Sequence, residues 1–446
     1  MATETQSAEV TYTRVAAIAL PVVLSNATVP LQGAIDTAII GNLGSAVFLA
    51  AVTLGAALFS LIVGVFNFIQ MGTSGLAAQA MGAGNQGRVM NTLLRALIMA
   101  GVVSILLFAL QGPLTRAGLA FFEGSAEAEA LAAVYFQIRL FGLPAELANY
   151  AILGWFTGQE MTRRLFEMQI VISLVNIVLN LTFVLGFGWG VEGVALGTVF
   201  AAYAGLALGL FRVWQRKRAI APAAWRPEPG RLLNAAEFGP FLALNRDIFI
   251  RSILLMLSFA WVARLGSTQG DEVLAANGIL MQFLHISAYA LDGFAMAAET
   301  LVGQALGARS RARLRRAVIV SSVAAFGLAL AFTLVATGLA GPIVRLFTNV
   351  ETVREIAMAH ILWGTCMPLV GVLAFQMDGV FIGAAEGRGM RNAMIASAAI
   401  FLPLSWGMTE AFGNHGLWAS VALFMVIRAG FLGLLYPRLE ARASPS

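Results

Sequence analysis

The chain reads as a succession of long apolar runs joined by short polar connections. About 20 consecutive apolar residues form a helix long enough to cross a bilayer. Such runs fall at 14–40, 46–71, 91–112, 131–157, 165–188, 193–214, 240–264, 273–305, 317–340, 358–384, 392–412 and 416–436. The pattern predicts an all-α polytopic membrane protein of twelve transmembrane helices. Basic residues gather in every second connection: Arg88; Arg163 and Arg164; Arg216, Lys217, Arg218, Arg226 and Arg231; Arg309, Arg311, Arg313, Arg315 and Arg316; Arg388 and Arg391. The alternate connections carry Glu123, Glu127, Glu129, Glu192, Asp271, Glu272, Glu351 and Glu355. Short loops rich in Lys and Arg stay in the cytoplasm, so both termini are expected there.

Composition supports the membrane reading. The 446 residues are 59% hydrophobic and 11% charged, whereas soluble domains carry roughly 25% charged residues. The net charge of +5 is spread over alternating loops, which makes the basic clusters topology determinants rather than a nucleic-acid surface. The first thirteen residues are polar and the first apolar run is too long for a signal core, so no cleavable signal is expected. Cys366 is the only cysteine. It can form no internal disulfide and reads as a packing residue.

The one long polar stretch, Arg212 to Pro240, contains Pro222, Pro227 and Pro229. It reads as a cytoplasmic linker over 216–239 between six-helix lobes at 1–215 and 240–446. The halves resemble one another. AAQAMGAGNQGR ending at Arg88 matches VGQALGARSRAR ending at Arg313. GWFTGQE from Gly154 matches GVFIGAA from Gly379, and GWGVEGVALGT from Gly188 resembles AFGNHGLWASV from Ala411. Six spans per half keep both repeats in one orientation, related by an axis along the membrane normal, as in parallel-repeat carriers.

Several motifs mislead. GAGNQG at Gly82–Gly87 satisfies GxGxxG, but it joins two membrane helices instead of a strand and a helix, and reads as a helix stop and turn. The GxxxG pairs Gly154/Gly158, Gly379/Gly383, Gly193/Gly197 and Gly205/Gly209 let helices approach closely. The sequons at Asn26 and Asn180 lie inside spans. There is no HExxH, GxSxG or P-loop. His285, His360 and His415 are far apart in sequence and lack ligand spacing, so all three read as structural and no metal site is expected.

The intramembrane charges carry the candidate chemistry. Asp36 sits in an otherwise uncharged run from Val15 to Ile40, fifteen residues after Pro21. A carboxylate in a spanning helix is costly and is by default a functional-site hypothesis, and a proline bends such a helix. Two readings stand here: a functional acid on a bendable helix, or an acid neutralised by a neighbouring helix beside an ordinary kink. Asn176 and Asn180, four apart on one face, and Thr198 are candidate partners of Asp36. Arg139 and Glu146 are seven apart and read as a facing structural pair, with the role of Glu146 open. The second half holds Arg246, Asp247, Arg251, Asp292, Glu299 and Asp378. Asp247 and Arg251 are spaced to pair, and Asp292 and Glu299 to share a face. The set reads either as a cavity network or as static ion pairs.

These residues resemble the multidrug and toxic compound extrusion (MATE) transporters, specifically their DinF (DNA-damage-inducible protein F) branch. The likeness rests on Pro21 with Asp36, NRDIFIRS from Asn245, AYALDGFA from Ala288, GQALGAR from Gly303, MDGVFIGA from Met377, MRN from Met390 and GNHGLW from Gly413. It implies two six-helix lobes related by a pseudo-twofold axis in a V around a central cavity. It also implies secondary multidrug efflux by alternating access, an antiporter rather than an enzyme. Asp36 would bind the coupling proton, Pro21 would bend with protonation, and Asn176, Asn180 and Thr198 would surround the acid. Related proteins often carry an aspartate where this chain has Asn180. A site with one acid favours H+ over Na+ as coupling ion.

The expected partners are amphipathic, often cationic, small molecules and the lipid bilayer, with no nucleic acid and no cofactor. The expected setting is a monomer in a bacterial inner membrane. A lipid-linked precursor flippase of the same superfamily would need a strongly cationic cavity, and the buried arginines lie mainly beside acids. A membrane-embedded enzyme would need a reactive constellation that the spacing does not supply.

Overall fold

The computed structural model describes residues 9–41, 46–122, 125–219, 232 and 234–444. Glu123 and the linker positions Pro222, Arg226, Pro227, Pro229 and Arg231 lie outside them. A backbone in hydrocarbon must satisfy its own polar groups, so each apolar run closes into a helix. The helices are α1 (Tyr12–Gly41), α2 (Ala46–Val63), α3 (Phe68–Gly82), α4 (Gln86–Ala109), α5 (Gln111–Phe122), α6 (Ala126–Leu140), α7 (Leu143–Gly158), α8 (Thr162–Asn180) and α9 (Val191–Ala219). They continue as α10 (Ala235–Ser267), α11 (Asp271–Gly307), α12 (Arg311–Gly338), α13 (Ala340–Phe347), α14 (Glu351–Ala359), α15 (Ile361–Gly383) and α16 (Gly387–Ala441).

Among the described residues nine helices are long and apolar enough to cross a membrane, and the pair α6–α7, bent by 53°, makes a tenth. The 55-residue α16 divides at Gly413, whose φ of 59° and ψ of −139° suit only glycine. With α1, the total is twelve spans, six in each half of the chain. Large apolar side chains stand exposed on these spans, among them Ile105, Leu334 and Leu434. Surface of that kind is solvated by lipid rather than water.

The internal repeat is built into the packing. A Cβ on Gly154 of α7 would lie 2.2 Å from the Gln70 carbonyl oxygen of α3, and one on Gly158 would lie 2.5 Å from that of Ser74. In the second half, Gly379 and Gly383 of α15 meet the Ala295 and Glu299 carbonyls of α11 at 2.2 and 2.1 Å. The spacing that separates Arg88 from Arg313 relates all four contacts. It also relates the turn residues with positive φ: Gly84 to Arg309, Glu160 to Ala385, and Gly188 to Gly413. Asn85 caps α4 by accepting from the Arg88 amide at 2.9 Å, and Ser310 caps α12 by accepting from the Arg313 amide at 3.5 Å.

The chain packs as two compact units: Leu24–Met81 with Asn85–Phe241, and Met1–Val23 with Gly82–Gly84 and Leu242–Ser446. In the first, Ile40, Tyr135, Val184, Val191 and Val194 form one core cluster. In the second, Phe283, Leu284, Phe401, Leu417, Trp418 and Phe424 fill the core. There Asn277 and Asn414 exchange side-chain hydrogen bonds of 2.8 and 2.9 Å, and Trp418 Nε1 donates to Asn277 Oδ1 at 2.8 Å. This knot fixes the second limb of α16 immediately beyond the Gly413 break.

Candidate functional site

Within the first unit a cavity of about 320 Å³ opens between α1, α2, α6, α7, α8 and α9. Its wall includes Gln32, Asp36, Phe59, Tyr135, Arg139, Glu146, Tyr150, Gln169 and Thr198. Asp36 is half-buried on α1. Asn180 Nδ2 donates to Asp36 Oδ1 at 2.7 Å and to Asn176 Oδ1 at 3.3 Å. Asn176 Nδ2 donates to Thr198 Oγ1 at 3.0 Å, and Thr198 donates to the Val194 carbonyl at 2.9 Å. The structure thus gathers Asp36, Asn176, Asn180 and Thr198 at one place.

The polarity of this relay is fixed from one end. The Thr198 hydroxyl gives its proton to the backbone, so it can only accept from Asn176. That turns the Asn176 carbonyl toward Asn180, whose amide nitrogen therefore presents a donor to Asp36. Such a donor suits an ionised carboxylate. Asn180 is the last α-helical residue before a π-helical turn, Leu181–Gly186, an irregularity frequent at functional sites. Gly197 on α9 makes room for it, since a Cβ there would stand 1.9 Å from Asn180 Oδ1.

Opposite charges sit at the break between α6 and α7. Arg139 occupies the last turn of α6 and Glu146 the first turn of α7. A helix C-terminus favours a cation and an N-terminus an anion, each by about 0.3–1 kcal/mol. Pro144 lies at the start of α7, where its missing N–H has no intrahelical role. Arg139 donates to Glu146 Oε1 at 2.7 Å, and its guanidinium carbon lies 4.0 Å from the Phe59 ring centroid. Tyr135, Tyr150, Gln32 and Gln169 were not singled out by the sequence. The tyrosines had a signal: 135, 139, 146 and 150 recur at helical spacing along α6 and α7.

The second unit holds its acids differently. Asp378, buried on α15, takes Arg251 of α10 and Arg428 of α16, the latter at 2.6 Å. Arg428 was absent from the sequence-based network. Asp247 accepts from Arg246 at 2.9 Å and from Arg391 at 2.7 Å. The expected Asp247–Arg251 pair is therefore not formed. Each has a better-placed partner on another helix, and an i,i+4 spacing permits a pair without requiring it. Glu299 is buried, whereas Asp292, seven residues earlier, is exposed and makes no hydrogen bond or ion pair among the described residues.

The repeat locates the asymmetry. At the spacing of Arg88 to Arg313, Asp36 and Asn180 correspond to Trp261 and Ser405, which bond to each other at 3.0 Å. Asn176 and Thr198 correspond to Phe401 and Leu423. The second half places an indole and a buried phenyl ring where the first half carries Asp36 and Asn176. His360 and His415, distant in sequence, lie with ring centroids 4.2 Å apart and planes tilted by 34°, and Trp363 Nε1 donates to His415 Nδ1 at 3.0 Å. Among the described residues no three His, Cys, Asp or Glu side chains gather as a metal site.

Comparison with known proteins relates the chain as a whole to one family. The family model MatE matches residues 21–182 and 248–406. DNA damage-inducible protein F of Escherichia coli (strain K12) is 38% identical over 434 residues, 94% of this chain and 91% of that protein. The probable multidrug resistance protein NorM of Caulobacter vibrioides is 26% identical over 451 residues, 95% of this chain and 91% of that protein. Among solved structures, a multidrug resistance MATE family transporter of the MOP superfamily in an outward-facing conformation superposes with a TM-score of 0.86 at 18% identity. That likeness of fold covers 97% of this chain and 96% of that one.

Proposed function

Since the chain belongs to the MatE family of multi-pass membrane transporters, we propose that it is a multidrug exporter driven by inward protons, with Asp36 as the coupling group. The observation that carries this reading is the contrast between its acids. Asp378 and Asp247 are each committed to two arginines. Asp36 has no ion-pair partner among the described residues and is held by one neutral amide, 2.7 Å away. A carboxylate held by amides can gain and lose a proton without breaking an ion pair.

Protonation removes the charge that the Asn180 N–H recognises. The two protonation states then differ in how α1 is held to α8 and α9, and Pro21 on the same helix lets it respond by bending. A ligand can shift a conformational equilibrium only through such differential contacts. One pH unit supplies about 1.4 kcal/mol per proton, enough for about tenfold accumulation at one-to-one exchange. A site with one carboxylate and neutral amides favours a proton over sodium, and acids beside aromatic rings favour amphipathic cations. The reading includes a monomer in a bacterial inner membrane, both termini cytoplasmic, with lobes at 1–215 and 240–446 around a linker.

Efflux from proteoliposomes under an imposed pH or sodium gradient tests it. Asp36→Asn should abolish pH-driven efflux and leave the protein folded. Full pH-driven efflux in that variant would reject the assignment. The open carboxylate of Asp292 is the runner-up, and loss confined to Asp292→Asn would move the coupling site to the second half.

A further inference from the structure

The cavity of the first unit already contains a cation. Organic cations are recognised by a carboxylate combined with an aromatic face. That combination exists here as Glu146 with Phe59, and Arg139 occupies it: 2.7 Å to Glu146 Oε1 and 4.0 Å to the Phe59 ring centroid. The Arg139 side chain is 11% exposed, and its Nε has no hydrogen-bond partner among the described residues. Its place at the C-terminal end of α6, facing the N-terminal end of α7, holds the guanidinium in the wall. Among the described residues three charged groups line this cavity: Asp36, Arg139 and Glu146. Glu146 and Arg139 cancel, which leaves Asp36 as the single uncompensated charge.

We propose that Arg139 is a tethered cation that limits the cavity to one net negative charge, so that it selects monocationic over dicationic amphipaths. The inference rests on the reading of this cavity as the substrate site. With Asp36 ionised the cavity offers one negative charge. With Asp36 protonated it offers none, so a monocation and a proton compete for the same capacity. Removing the positive charge of Arg139 uncovers Glu146 and raises the capacity to two.

The test is equilibrium binding of ethidium, a monocation, and propidium, a dication on the same ring system, to the full-length purified protein. Wild type should prefer ethidium. In Arg139→Gln the propidium-to-ethidium affinity ratio should rise about tenfold or more, the scale of one additional close charge pair. Arg139→Lys should keep the wild-type ratio. Arg139→Gln combined with Glu146→Gln restores the single-charge capacity and should return the ratio to wild type, which a merely structural role of Arg139 would not do. Glu146→Gln alone reads the same count from the other partner, since it leaves Arg139 against Asp36 and should weaken ethidium about tenfold.

An unmoved ratio in folded Arg139→Gln, a double variant that behaves like Arg139→Gln, or unchanged ethidium binding in Glu146→Gln would each overturn the proposal. If wild type binds neither probe, the cavity reading falls with it. Binding with an unmoved ratio removes only the charge-setting role, and pH-driven efflux of Asp36→Asn tests the coupling role separately.

Discussion

Replacing Gly197 by Ala is a small change with a large expected consequence. The added Cβ would stand 1.9 Å from Asn180 Oδ1, 3.1 Å from its Cγ and 3.2 Å from its backbone nitrogen. The backbone nitrogen belongs to α8 and cannot retreat alone, so the side-chain amide must leave its position. It then loses its 2.7 Å bond to Asp36 and its 3.3 Å bond to Asn176. A hydrogen bond to a charged group contributes about 1.5–3 kcal/mol, which corresponds to about 10- to 150-fold in an equilibrium. Efflux under an imposed pH gradient should fall by at least the lower figure, with cooperative melting retained. Gly101→Ala, where a Cβ meets nothing within 4 Å, is the control and should melt no lower than wild type.

Because Gly197 acts through Asn180, Gly197→Ala combined with Asn180→Ala should resemble Asn180→Ala alone. Side chains that share one interaction give non-additive effects, while independent sites add within about 0.3–0.5 kcal/mol. Full efflux in Gly197→Ala, or additive losses in the double variant, would refute the reasoning.

Two further outcomes test the second unit. Asp378→Asn leaves Arg251 and Arg428 buried around a neutral amide, and breaking a buried charge network of this kind costs about 3–5 kcal/mol. The expected result is a marked loss of thermal stability in detergent, and an unchanged melting temperature would remove Asp378 from the network. Asn277→Leu strands Asn414 and the Trp418 indole N–H at about 1–3 kcal/mol for each unsatisfied group, and adding Asn414→Leu should recover part of that loss. If the double variant is the less stable of the two, the reciprocal bonds at the Gly413 break are not what holds it.

Much of the architecture was legible because the bilayer imposes it. A helix must be long and apolar enough to cross, so the runs appear in hydropathy, and close helix contacts need small residues, so GxxxG pairs mark both α7 and α15. The repeat was visible in the turn sequences because residues with positive φ and helix caps are chosen by local geometry. The candidate site was half legible. Asp36, Asn176, Asn180 and Thr198 stood out as polar groups in apolar runs. Arg139 and Glu146 read as a structural pair because nothing local says that they line a cavity, and no acid within a turn of Arg428 marks it as part of a charge network.

Local chemistry therefore settled where helices begin, end and approach one another, and which carboxylates are taken out of water. Only the tertiary structure decided which partner each buried charge receives. Arg251 could reach Asp247 along its own helix, yet it binds Asp378 on α15, and Asp36 meets an amide where its repeat-related position holds Trp261. The reason is physical: a desolvated charge is held by whichever group the packed helices bring within about 3 Å, and sequence spacing constrains that choice only along a single helix.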